Sequence, residues 1–380
     1  MIGLALNLTL NVVEHKVMHW RGRLARSAFN LGGSMKLTNL LAGASFCAVL
    51  AVRGTIPAQG AAAPLEFNYG YTTADHVNLY VAQDLGLFEK VGLKPRFFTF
   101  QSGAPLLAAL KSESLDVVTA GLGFAFALGQ KIPITMLFWN SNDSTGEGLV
   151  VDAKSGIKSF HDISKAQKIG AASGTCAQVA LYLMAKKVGV DYAKLNVVNI
   201  PAPLFRNSFL SNSIDAGIAW SPYSLMLNAE GFKVVSWDSE YTPPGGLCPR
   251  TTAARPAFLK SHPEVGLKLL QVDAMASDAI AKNPQLAIDA IAKRLSLSPE
   301  VARATFERVY MQRPTYGQQL DPSSPYSMTS KDGGLAAKYL QATQVLYETK
   351  SIPEPVPLAV IQEAIDASAL KQYAASTRTK

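Results

Sequence analysis

The chain has 380 residues, is 48% hydrophobic and 17% charged, and carries a net charge of +8. That balance describes a globular chain with ample core, and its length predicts two domains. No apolar run in the body is long enough to span a membrane, and no basic run with interleaved aromatics points to nucleic acid.

The first element is a leader. Leu40 to Val52 is apolar, Met35-Lys36 precedes it, and Ala58-Gln59-Gly60 and Ala61-Ala62-Ala63 follow as small-residue cleavage patterns. Together they predict a secretory signal peptide within residues 1–63, with Met35 as the expected initiator. Lys16, Arg21, Arg23, Arg26, Lys36 and Arg53 against Glu14 give that segment a surplus of five, so the exported chain keeps +3 of the +8. Cys47 leaves with the leader, and Phe46 before it is too large for lipoprotein processing. Cys176 and Cys248 remain; export permits a disulfide between them without requiring one, and their spacing suits no metal. His76, His161 and His262 are scattered and read as surface or satisfied residues.

Beyond the leader, Leu65–Tyr71 alternates as a strand and opens into the polar loop Thr72-Thr73-Ala74-Asp75. A helix over Val77–Leu87, a strand over Lys94–Phe100, a helix over Ala104–Lys111 and a strand over Leu115–Thr119 follow. This alternation predicts a mainly parallel sheet covered by helices on both faces. A second unit begins near Val150. It reads as a strand over Lys168–Ala172, a helix over Cys176–Val188, and strands over Leu195–Ile200 and Ile214–Trp220. From Thr251 onward the pattern is helical: Leu267–Lys282, Pro284–Leu295, Pro299–Val309 and Gly334–Thr349, with a loop-rich stretch over Pro314–Tyr326. Pro353–Pro357 is an extended link before a last helix over Leu358–Leu370.

Gln101-Ser102-Gly103-Ala104-Pro105 combines an N-cap residue with a first-turn proline, which is how a helix begins. Such a start leaves free N–H groups able to receive an anion. No nucleophile with a base stands nearby. Elsewhere the chain offers no trusted Ser/His/Asp order, no metal signature and no phosphate loop, so neither an enzyme nor a cofactor is expected.

The string Phe100-Gln101-Ser102-Gly103-Ala104, then Leu115-Asp116 and Gly121-Leu122-Gly123, resembles the periplasmic solute-binding proteins for taurine and aliphatic sulfonates, which serve ABC importers. Ile214-Asp215-Ala216 with Trp220-Ser221-Pro222-Tyr223 looks like another element of that family. Ala253-Ala254-Arg255-Pro256, His262-Pro263-Glu264-Val265, Leu346-Tyr347-Glu348 and Ile352-Pro353 follow at familiar spacing. The likeness covers roughly residues 65–360. It implies an α/β fold of two lobes closing on ligand by a hinge, the type II periplasmic-binding architecture. Lobe one is then 64–149 plus 254–380 and lobe two 150–253, with crossovers near Leu149–Val151 and Arg250–Ala254. A monomeric periplasmic protein, a small organic anion and a membrane permease are the implied location and partners.

For such a ligand, Ser102, Gly103 and Ala104 supply one helix start, and Gly174 and Thr175 supply another from the second lobe. Gly123 lets backbone approach closely. Tyr71 and Thr72 follow the first strand, where open α/β sheets bind ligands. Trp220 is expected as an apolar wall or lid. Glu147 occupies an acidic position that receives an amine in taurine-type relatives. Arg250 replaces an acidic residue there, and its fork suits a second anionic end or a structural pairing with Glu147 or Asp238. An aliphatic sulfonate is the expected ligand; a thiamine-precursor pyrimidine, with Trp220, Tyr71 and Phe124 as stacking walls, or a carboxylate-bearing compound is the alternative on the same fold.

Overall fold

The computed structural model describes residues 63–242 and 246–378; the signal peptide and the Met35 start lie outside them. The chain begins with β1 (Leu65–Thr72), α1 (Val77–Asp84), β2 (Leu93–Phe100), α2 (Gly103–Lys111), β3 (Val117–Ala120), α3 (Gly123–Gly129) and β4 (Thr135–Asn142). It continues through β5 (Gly148–Val151), β6 (Ile169–Gly170), α4 (Cys176–Lys187), β7 (Val197–Val198), α5 (Phe205–Leu210), β8 (Ala216–Ala219), α6 (Tyr223–Ala229) and β9 (Lys233–Trp237). Strand β10 (Pro249–Ala254) leads into α7 (Pro256–Ser261), α8 (Val265–Lys282), α9 (Gln285–Leu295), α10 (Pro299–Arg308), α11 (Tyr316–Leu320), α12 (Gly334–Glu348), α13 (Leu358–Glu363) and α14 (Ser368–Arg378).

The strands form two five-stranded sheets, in the orders β2-β1-β3-β10-β4 and β7-β6-β8-β5-β9. Strands β3, β5, β8 and β10 are buried along their whole length, as internal strands covered on both faces must be. The chain changes sheet between Asn142 and Gly148 and again between Trp237 and Pro249.

Three features depart from the sequence reading. Each sheet is mixed, because β10 runs antiparallel to β3 and β4, and β5 runs antiparallel to β8 and β9. Leu149–Val151 and Arg250–Ala254, expected near the crossovers, are strands of the second and first sheets. The single last helix is two, α13 and α14, because the backbone between them pairs with β4: Met136 donates to the Ala364 carbonyl and accepts from the Asp366 N–H. The loop-rich stretch also holds α11, begun by a capping box in which Thr315 and Gln318 serve each other's backbone.

The first sheet is buried by α8, α9 and α12 together with α1 to α3. This core includes Trp139, Tyr80, Tyr339 and Leu106, each below 3% exposure. Burying each large side chain is worth about 1.5–3 kcal/mol. The second sheet has smaller cores, one around Phe160, Leu181 and Ile218, the other around Phe205 and Phe209. The parallel strands β1, β2 and β3 end on one edge, so the loops Thr72–His76, Gln101–Ser102 and Gly121–Leu122 gather there. That is where open α/β sheets place ligands.

Candidate functional site

At that edge lies a cleft walled by both sheets. From the first come Thr72, Ala74, Ser102, Gly103 and the run Ala120–Gly123; from the second come Thr175, Cys176 and Trp220. Asp143, Glu147 and Cys248, from the two connecting segments, complete the lining.

Three helices begin in this cleft and, as at most helix starts of the described chain, no side chain caps any of them. Ser102 before α2, Leu122 before α3 and Thr175 before α4 all lack a cap hydrogen bond. Ser102 and Thr175 are good cap residues by type, yet the Thr175 hydroxyl donates backwards to the Ala172 carbonyl at 2.7 Å. The helix starts are packed together through glycine. A Cβ on Gly103 would stand 3.6 Å from the Gly123 Cα and 4.0 Å from the Thr175 methyl. Three positive helix ends thus face one space. Each favours an anion by about 0.3–1 kcal/mol when exposed, and by up to about 2 kcal/mol when partly buried.

Opposite in character is Glu147. Its backbone is fixed on both sides: its N–H donates to the Asp143 carbonyl, and its carbonyl accepts from Asp238 N–H. Its side chain is fully buried, and neither carboxyl oxygen has a hydrogen-bond partner. Burial, then repulsion from Asp238 and Asp143, raises its pKa well above the usual carboxylate range. Asp238 is itself pushed up to about 7 by burial, against a hydrogen bond from Ser144 and the charge of Lys338. Lys338 on α12 is drawn down to about 8 by its own burial, and it donates to the Gly246 carbonyl.

Arg250 does not reach the cleft. Its Nε donates to Asp143 Oδ2 at 2.9 Å, and its Nη2 and Nη1 donate to the Asp75 carboxylate and carbonyl at 2.8 and 2.7 Å. Burial lowers its pKa, but Asp143 and Asp75 more than offset this and hold the guanidinium charged. The expected anion-binding role gives way to a structural one, with Asp75 and Asp143 as partners rather than Glu147 or Asp238.

Of the other expected residues, Thr72, Ser102, Gly103, Gly123, Glu147, Thr175 and Trp220 meet in the cleft. The Trp220 indole N–H donates to the Thr73 carbonyl at 3.1 Å, joining the end of β8 to the loop after β1. Tyr71 is turned into the core, edge-on to Tyr80, His76 and Phe97. Phe124 is wholly buried, and Ala104 points outward from α2. Neither Tyr71 nor Phe124 lines the cleft, so the stacking walls expected for a pyrimidine reduce to Trp220. Gly174 sits behind the site at φ +70, where a Cβ would press on Phe126 at 3.1 Å.

Sequence reasoning missed Asp143 and the sulfurs. Cys176 and Cys248 form a disulfide across the cleft floor, with a Cα–Cα distance of 5.6 Å. Cys176 directly follows the expected helix cap Thr175, and Asp143 lies in the polar run before Glu147; those neighbours were the available signals. The donor atoms of Glu147, Cys176 and Cys248 lie within 4.8 Å of one another. The sulfurs are bonded to each other, however, so this cluster is not a metal centre as it stands.

Residues 73–287 match the NMT1/THI5 like family. A Brucella abortus (strain 2308) protein named as a binding protein is 28% identical over 220 residues, covering 57% of this chain and 67% of that one. A Bacillus subtilis (strain 168) protein named for binding aliphatic sulfonates is 28% identical over 201 residues, covering 51% of this chain and 59% of that one. Among solved structures, the alkanesulfonate-binding protein of Xanthomonas axonopodis pv. citri, bound to MOPS, superposes with a TM-score of 0.65 at 19% identity. The superposition covers 81% of this chain and 100% of that one, a likeness in fold: the chain has the periplasmic-binding-protein fold.

Proposed function

The chain belongs to the NMT1/THI5 like family, and we propose that it is the periplasmic substrate-binding component of an ABC importer. Its ligand is a small zwitterion with an oxyanion head and a protonated amine, of the aminoalkanesulfonate class. The observation that carries this is the pairing of three uncapped helix starts with one buried, partnerless carboxyl, Glu147, in a single cleft. The helix N–H groups suit sulfonate oxygens. An ammonium at Glu147 supplies the hydrogen bonds its two oxygens lack and restores its charge. With Arg250 engaged elsewhere, nothing supports a second anionic end on the ligand.

The fold divides in this reading into two lobes built on the two sheets, with the connections after β4 and after β9 as the hinge. Trp220, bonded across to Thr73, is the lid. The relative named for aliphatic sulfonates supports the ligand class. A thermal-shift screen of 2-aminoethanesulfonate, methanesulfonate, nitrate, bicarbonate and an aminopyrimidine tests the reading, since a ligand that binds the native state raises the midpoint. The largest rise is expected with 2-aminoethanesulfonate; a rise with the pyrimidine or nitrate alone would overturn the assignment.

A further inference from the structure

The bridge on the cleft floor joins parts of the molecule that belong to different sheets. Cys176 is the first residue of α4, which buries Ala177, Ala180, Leu181 and Met184 in the core of the second sheet. Cys248 stands one residue before β10 of the first sheet. The Cys176 sulfur also accepts the Leu122 N–H at 3.3 Å, at the start of α3. Gly121 makes room for it: a Cβ there would lie 2.9 Å from one sulfur and 3.3 Å from the other. Further along α4, Gln178 donates to Thr349 and Ser351 at 3.1 and 2.7 Å, and Tyr182 donates to Glu348. These contacts tie one edge of the second sheet's layer to the first. On the Trp220 side the links are the Trp220–Thr73 hydrogen bond, the packing of α6 against α10, and the Arg308 guanidinium 3.5 Å over the Trp237 ring.

We propose that the Cys176–Cys248 disulfide is a covalent strap holding the start of α4 beside the starts of α2 and α3. The anion subsite is thereby assembled before ligand arrives. This rests on the reading of the cleft as an oxyanion site. Preorganisation of this kind improves affinity by removing the ordering that binding otherwise requires. Reduction by a small dithiol breaks the Sγ–Sγ bond, places one proton on each sulfur and leaves the reductant as its cyclic disulfide. The α4 start is then held to the first sheet by hydrogen bonds and side-chain packing alone, and capture weakens. The bridge is a positioning element: it need not touch the ligand to act.

The test is hydrogen exchange on the ligand-free full chain, oxidised, reduced with dithiothreitol, and as the double variant Cys176→Ala/Cys248→Ala. Titration of each form with 2-aminoethanesulfonate runs alongside. In the reduced and variant forms, the first hydrogen-bonded amides of the three helices, at 107, 125, 179 and 180, are expected to exchange about tenfold faster, with the dissociation constant raised by a similar factor. Amides of β3 and α8 are expected to be unchanged. Retained protection at the helix starts overturns the proposal. So does loosening that spreads equally to β3 and α8, because it marks general destabilisation. If 2-aminoethanesulfonate binds no form, the exchange pattern still decides on the strap, and only the ligand assignment falls.

Discussion

Arg250 and Asp143 are bonded at 2.9 Å inside the protein, where the arginine is 2% exposed and spans from β10 to the loop after β1. The pair joins the segment that follows β4 to a strand of the same sheet, and it fixes one acid of the cleft wall in place. Replacing Arg250 by Met strands two buried carboxylates, a change that costs about 3–5 kcal/mol. Urea unfolding of Arg250→Met is expected to show a loss of that order. At low temperature the folded fraction is expected to keep its preference among ligands, since the guanidinium does not reach the cleft. A selective loss of ligand with unchanged stability would return Arg250 to the binding site.

Glu147→Gln keeps the shape of the side chain and removes its ability to become an anion. Affinity for 2-aminoethanesulfonate is expected to fall by about 1.5–3 kcal/mol, the range for hydrogen bonds to charged groups, with methanesulfonate little affected. Burial and the neighbouring acids favour the protonated carboxyl when the cleft is empty, whereas an ammonium ligand favours its ionised form. Calorimetry in buffers of different ionisation enthalpy is expected to show proton release on binding that is absent in Glu147→Gln.

Trp220→Ala removes a ring that lines the cleft and its bond to Thr73. Dissociation is expected to speed up more than association slows, because most interface changes act on the off-rate. Stopped-flow measurement of tryptophan emission in Trp220→Phe and ligand displacement in Trp220→Ala check this. An unchanged off-rate in both would remove Trp220 from the lid.

The buried acids set a pH dependence for the ligand-free protein. Glu147 and Asp238 have folded-state pKa values above their unfolded ones, Asp238 at about 7. The folded state therefore holds protons that the unfolded state has released, and stability falls as pH rises from the unfolded carboxylate range through the folded values. Each fully differential proton contributes about 1.4 kcal/mol per pH unit. The urea midpoint is expected to be higher at pH 5 than at pH 7.5, with a smaller difference in Glu147→Asn or Asp238→Asn. A pH slope unchanged in both variants would contradict the assignment.

The helix starts at Ser102 and Thr175 were legible because caps and small residues act over a few positions. The same local logic misled about the caps themselves, since Thr175 spends its hydroxyl on Ala172. Arg250 was misread because its partner Asp75 lies 175 residues away. The place of β10 is decided by pairing with β3 and β4, which no local pattern announces. The split of the last helix has a similar cause, as Ile365 and its neighbours answer to Met136. Glu147 was noticed as an acid, but its complete burial depends on packing around the tight Gly146, where a Cβ would meet Val309 at 2.5 Å and Ser221 at 2.8 Å.

The uncapped helices have a thermodynamic consequence for evolution as well as for binding. A serviceable cap contributes about 1 kcal/mol to a helix, and this protein forgoes it at three ends that meet in one place. Variants that supplied those caps would be more stable and would fill the space the ligand needs. Selection for stability and selection for capture therefore pull these few residues in opposite directions, and a screen for thermostable mutants of the empty protein is expected to find its gains where binding is lost.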